Sequence, residues 1–194
     1  MSLLLTSLRY FRTVSHLKPI QIYARIWFLF YKPRLRKLPA PKIALFEKKY
    51  MLPAVRSQSI INESTFLLLN EIGDINQIGW QDDSRSKLWR YNQHYFDDLS
   101  AAGSRKRINW HVGLINRWIK DNPPASGYGW EPYPTSLRII NWVKWLLQGN
   151  EIENSVICSL ATQVRWLEKR VEWHLLGQPF IHQCKGSSIC WSFF

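Results

Sequence analysis

Two stretches hold the residues best able to do chemistry. "GWEPYPTSLRIINWVKW" sets Trp130 and Tyr133 beside Glu131, with Arg138 following on the same run. Pro132 and Pro134 stiffen the approach to a helix. A rigid loop offering ring faces, an acid and a guanidinium suits a sugar, whose apolar face stacks on aromatics while its hydroxyls take hydrogen bonds. "LWRYNQHYFDDL" adds an amide, an imidazole and a phenol at Asn92, His94 and Tyr95. The same residues have a plainer reading. Their rings can pack helices together, Glu131 and Arg138 can form a structural ion pair, and His94 can bond to backbone. His16 and His111 read as surface or core residues without chemistry.

Composition narrows the classes. The chain has 194 residues, enough for one domain with a real core, and 46% of them are hydrophobic. Eleven Trp, eight Tyr and nine Phe are a heavy aromatic load, fitting either a ring-built core or a surface that stacks flat ligands. Charge is uneven. Residues 1–56 carry twelve Lys and Arg against one acid, Glu47, whereas residues 57–194 carry fourteen against thirteen. Such a basic block suits an anionic partner: nucleic acid, an acidic membrane surface or an acidic polysaccharide. Nucleic acid is not expected, because no RNP, helix-turn-helix or zinc-finger pattern occurs.

The three cysteines, Cys158, Cys184 and Cys190, show no CxxC or Cys/His metal spacing. No metal or cofactor is expected. Cys184 and Cys190 can pair in principle, though a reduced intracellular protein is the simpler expectation. "MSLLLTSLRYFRTVSHLK" has no basic region before its apolar run and no small-residue cleavage site after it, which points to the cytoplasm. "IQIYARIWFLFY" is too short to span a bilayer, and Arg25 interrupts it.

The elements that must position these groups are mainly helical. Helices are expected over 5–16 and from Pro19 to about Tyr31. The proline-rich, basic "KPRLRKLPAPK" reads as a connector. "STFLLLNEIGDINQIGW" reads as a small β element near residues 64–80, with a turn at Gly73-Asp74. Three helices follow. The first carries Ile108, Val112, Ile115 and Ile119 as its apolar stripe and stops at Pro123-Pro124. The second carries Leu137, Ile140, Val143 or Lys144, and Leu147, and stops at Gly149. The third carries Val156, Leu160, Val164, Leu167 and Val171, and ends at Gly177. Helices joined by polar, aromatic loops suggest helical hairpins, the unit of bundles, solenoids and toroids. No tetratricopeptide-like or HEAT-like repeat occurs.

"LWRYNQHYFDDL", "RWIKDNPP", "GWEPYPTSLRIINWVKW" and "SLATQVRWLEKRVEWHLLG" together resemble the heparinase II/III-like polysaccharide lyases, in that family's order. "RTVSHLKPIQIYARI" resembles the N-terminus of members found with surface-polysaccharide genes, which implies a bacterial source. The resemblance covers most of residues 9–177. It implies an incomplete (α/α) toroid followed by a β-sandwich domain, and β-elimination on a uronate-containing acidic polysaccharide. In that reaction the uronate carboxylate must be neutralised so that the C5 proton becomes acidic. A Tyr or His then takes the proton, and a Tyr can protonate the leaving oxygen. The resemblance places Glu172 and His174 near the cleft. The substrate-binding candidates are thus Asn92, His94, Tyr95, Trp130, Glu131, Tyr133, Arg138, Glu172 and His174, and no residue is assigned a catalytic role.

After Gly177 the helical pattern dissolves into "QPFIHQCKGSSICWSFF". The family typically continues with an Asn-His pair that neutralises the substrate carboxylate; here Gln178-Pro179 stand instead. One extra base at the Gly177 codon would account for this. Read one base out of register, the codons for the tail can encode Asn-His-Leu-Phe-Ile-Asn-Ala-Lys-Ala-Leu, the family's own continuation. The chain therefore divides into a basic helical segment and connector (1–58), a partial toroid (59–177) and a probable out-of-frame tail (178–194), His182 included. Without the Asn-His pair, the later helices and the sandwich, no lyase activity is expected. The stripe over 156–171 is expected to lie exposed for want of the helices that normally cover it. The alternative is a non-catalytic helical protein that binds carbohydrate or another anionic partner.

Overall fold

The computed structural model describes residues 19–31, 33, 39, 55–150 and 153–170. The expected helix at 5–16, most of the proline-rich connector, Val171, Glu172, His174, the helix end at Gly177 and the tail 178–194 lie outside the described residues. Within them the protein is mainly helical, with one two-stranded antiparallel sheet. Helix α1 spans Pro19–Phe30, with Pro19 in the first-turn position that tolerates a missing N–H. Strands β1 (Thr65–Leu68) and β2 (Glu71–Asp74) follow, then helices α2 (Ile75–Ile78), α3 (Lys87–Gln93), α4 (Ile108–Asp121), α5 (Pro132–Leu147) and α6 (Asn154–Lys169). Short 3-10 turns at Asp97–Ser100, Ser104–Arg107 and Tyr128–Trp130 join the later helices. Among the described residues no helix is long and apolar enough to cross a membrane.

The hairpin turns at Leu69-Asn70, not at Gly73-Asp74. Both turn residues have positive φ (53° and 63°), and Leu68 pairs with Glu71 across them, the backbone of a two-residue turn that matches strand twist. Gly73 serves packing instead. A Cβ there would lie 2.6 Å from the Trp89 ring, so only glycine lets α3 approach the sheet this closely. Asp74 caps α2, accepting a hydrogen bond from the Asn76 N–H at 2.9 Å.

Two of the long helices bury their expected stripes only in part. On α4 the buried residues are His111, Leu114, Ile115 and Trp118, so Ile115 is buried as expected while Ile108, Val112 and Ile119 pack only partly against the core. On α5 the expected Ile140 and Val143 are buried, together with Arg138, Ile139, Trp142 and Trp145, while Leu137 and Leu147 are half-buried. Aliphatic periodicity misses a core in which indoles and hydrogen-bonded polar groups set the contact line. Gly149 does end α5 as expected, with φ of 87° and its N–H donating to the Leu146 carbonyl at 2.9 Å.

The stripe on α6 has the expected residues but not the expected exposure. Val156, Leu160, Val164 and Leu167 are buried in the common core, since α6 packs against both α4 and α5. The chain's own helices cover that face over the described residues, and the expectation of an exposed stripe is corrected there.

Asp98 fastens the segment before β1 to the helices. Its Oδ1 accepts from the Ser59 and Ile60 N–H groups at 2.8 and 3.2 Å. Its Oδ2 accepts from Arg107 Nε and Nη2 at 3.0 and 2.9 Å and meets His111 Nε2 at 2.9 Å. Burial on its own would raise the carboxyl pKa. The His111 and Ser59 hydrogen bonds, together with the bonding and charge of Arg107, outweigh it and hold the group below its usual value.

A carboxyl depressed in the folded state lends stability above its unfolded pKa, and this is lost as pH falls through the folded value. Asp98→Asn should lower unfolding stability near neutral pH by about 3–5 kcal/mol, the scale of breaking a buried ion pair. It should also flatten the acid limb below about pH 4, where the unfolded aspartate titrates. Urea unfolding across a pH series reads both.

Candidate functional site

The sequence candidates divide into two layers. The inner layer is a lattice of rings around Trp118. Trp118 meets Trp142 edge-on at 5.8 Å and lies tilted against Trp130 at 5.8 Å; Trp130 in turn meets Trp166 edge-on at 6.2 Å. His94 stacks on Trp80 at 5.5 Å, and its Nδ1 accepts the Trp118 indole N–H at 2.9 Å. The Trp130 indole donates to the Asn122 carbonyl at 3.1 Å, and the Trp166 indole to the Trp130 carbonyl at 2.7 Å. Trp130 is 3% exposed, and His94 and Arg138 are 0%. None of the three presents a surface to a ligand, so the ring face expected from Trp130 is turned into the core.

Arg138 sits at the centre of that layer. Its Nε donates to Gln163 Oε1 at 2.9 Å and its Nη1 to the Gly129 carbonyl at 2.8 Å, with the His94 carbonyl at 3.5 Å and Thr135 Oγ1 at 3.4 Å from Nη2. Its guanidinium lies 3.8 Å over the Trp118 ring. Burial lowers its pKa, yet a guanidinium starts so high that it keeps its charge. The expected Glu131–Arg138 pair does not form, because Arg138 is enclosed and Glu131 is held elsewhere. Gly129 permits the close packing: a Cβ there would stand 2.8 Å from the His94 ring.

Burial, helped by the charge of Arg138, drives the His94 pKa down to about 3 against a smaller upward pull from the Trp80 backbone. The imidazole is therefore neutral at pH 7, and its Nδ1 is engaged as an acceptor. It has the environment of a core histidine.

The outer layer lies where α3 meets the 128–133 segment. Glu131 accepts from the Tyr91 hydroxyl and pairs with Lys87 Nζ at 3.1 Å. Lys87 also stands over the Tyr91 ring at 5.0 Å and the Tyr128 ring at 5.9 Å. Arg90 covers Tyr128 at 4.0 Å and pairs with Asp83. Asn92 Nδ2 donates back to the Leu88 carbonyl at 2.8 Å. Tyr95 and Tyr133 meet edge-on at 5.9 Å. The phenol of Tyr95 is pushed well up by burial, by Tyr133 and by the nearby Asp97, so it stays protonated at neutral pH. Sequence reasoning missed Lys87, Tyr91 and Tyr128. The "GYGWEPY" loop carries Tyr128 in plain view, but nothing local shows that it faces α3.

Of the named candidates, Asn92, Glu131 and Tyr133 thus belong to the outer layer, His94, Trp130 and Arg138 to the inner one, and Tyr95, 6% exposed, is buried as well. Glu172 and His174 fall outside the described residues. Among the described residues no cluster of His, Cys, Asp and Glu could hold a metal ion. No protein-family model matches the chain, and neither a curated protein nor a solved structure does.

Arg138→Met should strip the donors from Gln163 and two buried carbonyls at once. The expected loss is about 3 kcal/mol or more, since each buried acceptor left unpaired costs about 1–3 kcal/mol; the shift in urea midpoint measures it. His94 yields a separate pH signature. Its folded pKa lies below the unfolded value near 6.5, so the unfolded chain binds more protons, and stability falls as pH drops from 6.5 towards 3. The slope should approach ~1.4 kcal/mol per pH unit. A His94→Gln variant, though less stable at pH 7, should show a flatter profile between pH 6.5 and 5.

Proposed function

We propose that this chain is the helical, sugar-facing part of a heparinase II/III-like polysaccharide lyase, built as part of an (α/α) toroid, and that alone it binds an acidic polysaccharide without cleaving it. The observation that carries the reading is the meeting of two family-like motifs at one rim. "LWRYNQHYFDDL" supplies Tyr91, "GWEPYPTSLRIINWVKW" supplies Glu131 and Tyr133, the latter edge-on to the buried Tyr95, and Lys87 lies between Tyr91 and Glu131. Phenol rings stack on sugar faces, Glu131 takes hydroxyl hydrogens, and the exposed Lys87 attracts carboxylates.

The chemistry supports binding over elimination. A base must reach the C5 proton and be able to accept it. His94 is neutral but fully enclosed, with Nδ1 occupied. Tyr95 holds its proton tightly. The Gln178-Pro179 dipeptide lacks the groups that neutralise the substrate carboxylate in the family. The tail is best accounted for as an out-of-frame reading, testable by sequencing the DNA across codons 174–194.

A second reading rests on α1. Tyr23, Trp27 and Tyr31 form an exposed stacked row, with ring centroids 6.4 and 5.2 Å apart, inside the basic quarter of the chain. Such a row can stack an anionic partner by itself.

Calorimetric titration with heparan-type and alginate oligosaccharides tests both readings. Saturable binding should appear, Tyr91→Ala and Tyr128→Ala should each weaken it roughly tenfold, and no unsaturated-uronate absorbance should rise. Binding that survives those changes but is lost in Trp27→Ala would move the site to α1. A clear rise in absorbance would overturn the claim of inactivity.

A further inference from the structure

A cavity of about 450 Å³ opens beside Ser100, lined by residues that include Val55, Ser100, Ala102, Arg105, Lys106 and Gln148. Two residues of its wall carry buried polar atoms without a hydrogen-bond partner among the described residues. Ser100 is 8% exposed and its Oγ has none; the Gln148 Nε2 is buried and also lacks one. Both atoms are turned away from the open space in this rotamer, and leaving them unpaired is costly, so a rotation that brings them to a bound acceptor is favoured. Arg105 and Lys106 are exposed at the same cavity, and no described carboxylate pairs with either. The nearest acid of this segment, Asp98, is already consumed by Arg107, His111 and two backbone N–H groups.

A helix C-terminus would normally disfavour an anion here, since Gln148 closes α5. Two of its last carbonyls are occupied, however. Trp145 O accepts from Asn150 Nδ2 at 2.7 Å and Leu146 O from the Gly149 N–H at 2.9 Å. Val55, Ala101 and Ala102 give the wall an aliphatic part, and Gly103 and Ser104 complete it.

We infer that this cavity binds a small organic carboxylate carrying a compact apolar body. Arg105 and Lys106 attract the carboxylate, Ser100 Oγ and Gln148 Nε2 donate to its oxygens after an ordinary side-chain rotation, and Val55 with the alanines covers the body. The site is separate from the tyrosine rim and does not depend on the lyase reading, because none of the rim residues lines it.

The test titrates benzoate into the full chain, following backbone amide shifts at residues 100–106 and 148. Saturable shifts confined to those residues are expected, weakening as salt rises. Arg105→Gln and Gln148→Leu should each reduce affinity by about tenfold, and both sit where folding is little affected. A Ser100→Ala variant should weaken binding while leaving the Arg105 dependence intact. Inorganic phosphate should compete only poorly, lacking an apolar body. No saturable shift at millimolar benzoate, equal competition by phosphate, or binding indifferent to Arg105 and Gln148 would each overturn the assignment.

Discussion

A positive charge sealed inside a protein has to be answered at every donor, and in this fold Arg138 is that charge. Among the described residues no carboxylate pairs with it. The Gly129 and His94 carbonyls, Gln163, Thr135 and the Trp118 face share it instead. Each of those contacts belongs to a different part of the chain: the end of α3, the glycine loop, α4, α5 itself and α6. One guanidinium therefore registers four helices and a loop against one another. A lysine could not do this, because a single ammonium lacks the planar fork.

The ring lattice follows from that arrangement. Indoles fill volume and also carry one donor each, so a tryptophan core needs acceptors placed inside it. Here the acceptors are His94 Nδ1 and the carbonyls of Asn122 and Trp130, serving Trp118, Trp130 and Trp166, while the buried Trp142 Nε1 finds none among the described residues. The neutral imidazole is what lets Trp118 donate, and the nearby guanidinium helps to keep it neutral. Asp98 performs the matching task for negative charge two turns earlier along α4, where Arg107, His111 and two N–H groups converge. The two buried charges are thus solved by opposite means. The arginine is shared among neutral acceptors and a ring, and the aspartate among cationic and polar donors.

This division also decides which side chains remain for a ligand. Residues drawn into the lattice lose their faces to packing. Those one turn away, at Tyr91, Tyr128, Glu131 and Lys87, stay at the rim, where phenol, carboxylate and ammonium compensate one another. The rigid inner layer keeps that rim in shape, since α3 and the 128–131 loop are both held by Arg138 through backbone carbonyls.

Much of the framework is local and was therefore legible in the chain. Pro19 and Pro132 at helix starts, Gly149 past a helix end and the aliphatic stripe of α6 all act within a few residues, so their types alone set where helices begin, stop and bury a face. The mainly helical class and the presence of aromatic-rich loops follow from the same local rules. What only the tertiary structure decided was direction. Gly73 looks like a turn residue until the Trp89 ring is placed against it. Trp130 and Arg138 look like sugar-binding groups until α4 and α6 close over them, and Glu131 exchanges the expected Arg138 for Lys87 and Tyr91 from another helix. An aromatic or charged side chain can face a core or a ligand equally well on local grounds. The choice depends on which acceptors distant segments bring within hydrogen-bond reach, and those partners stand tens of residues away in sequence.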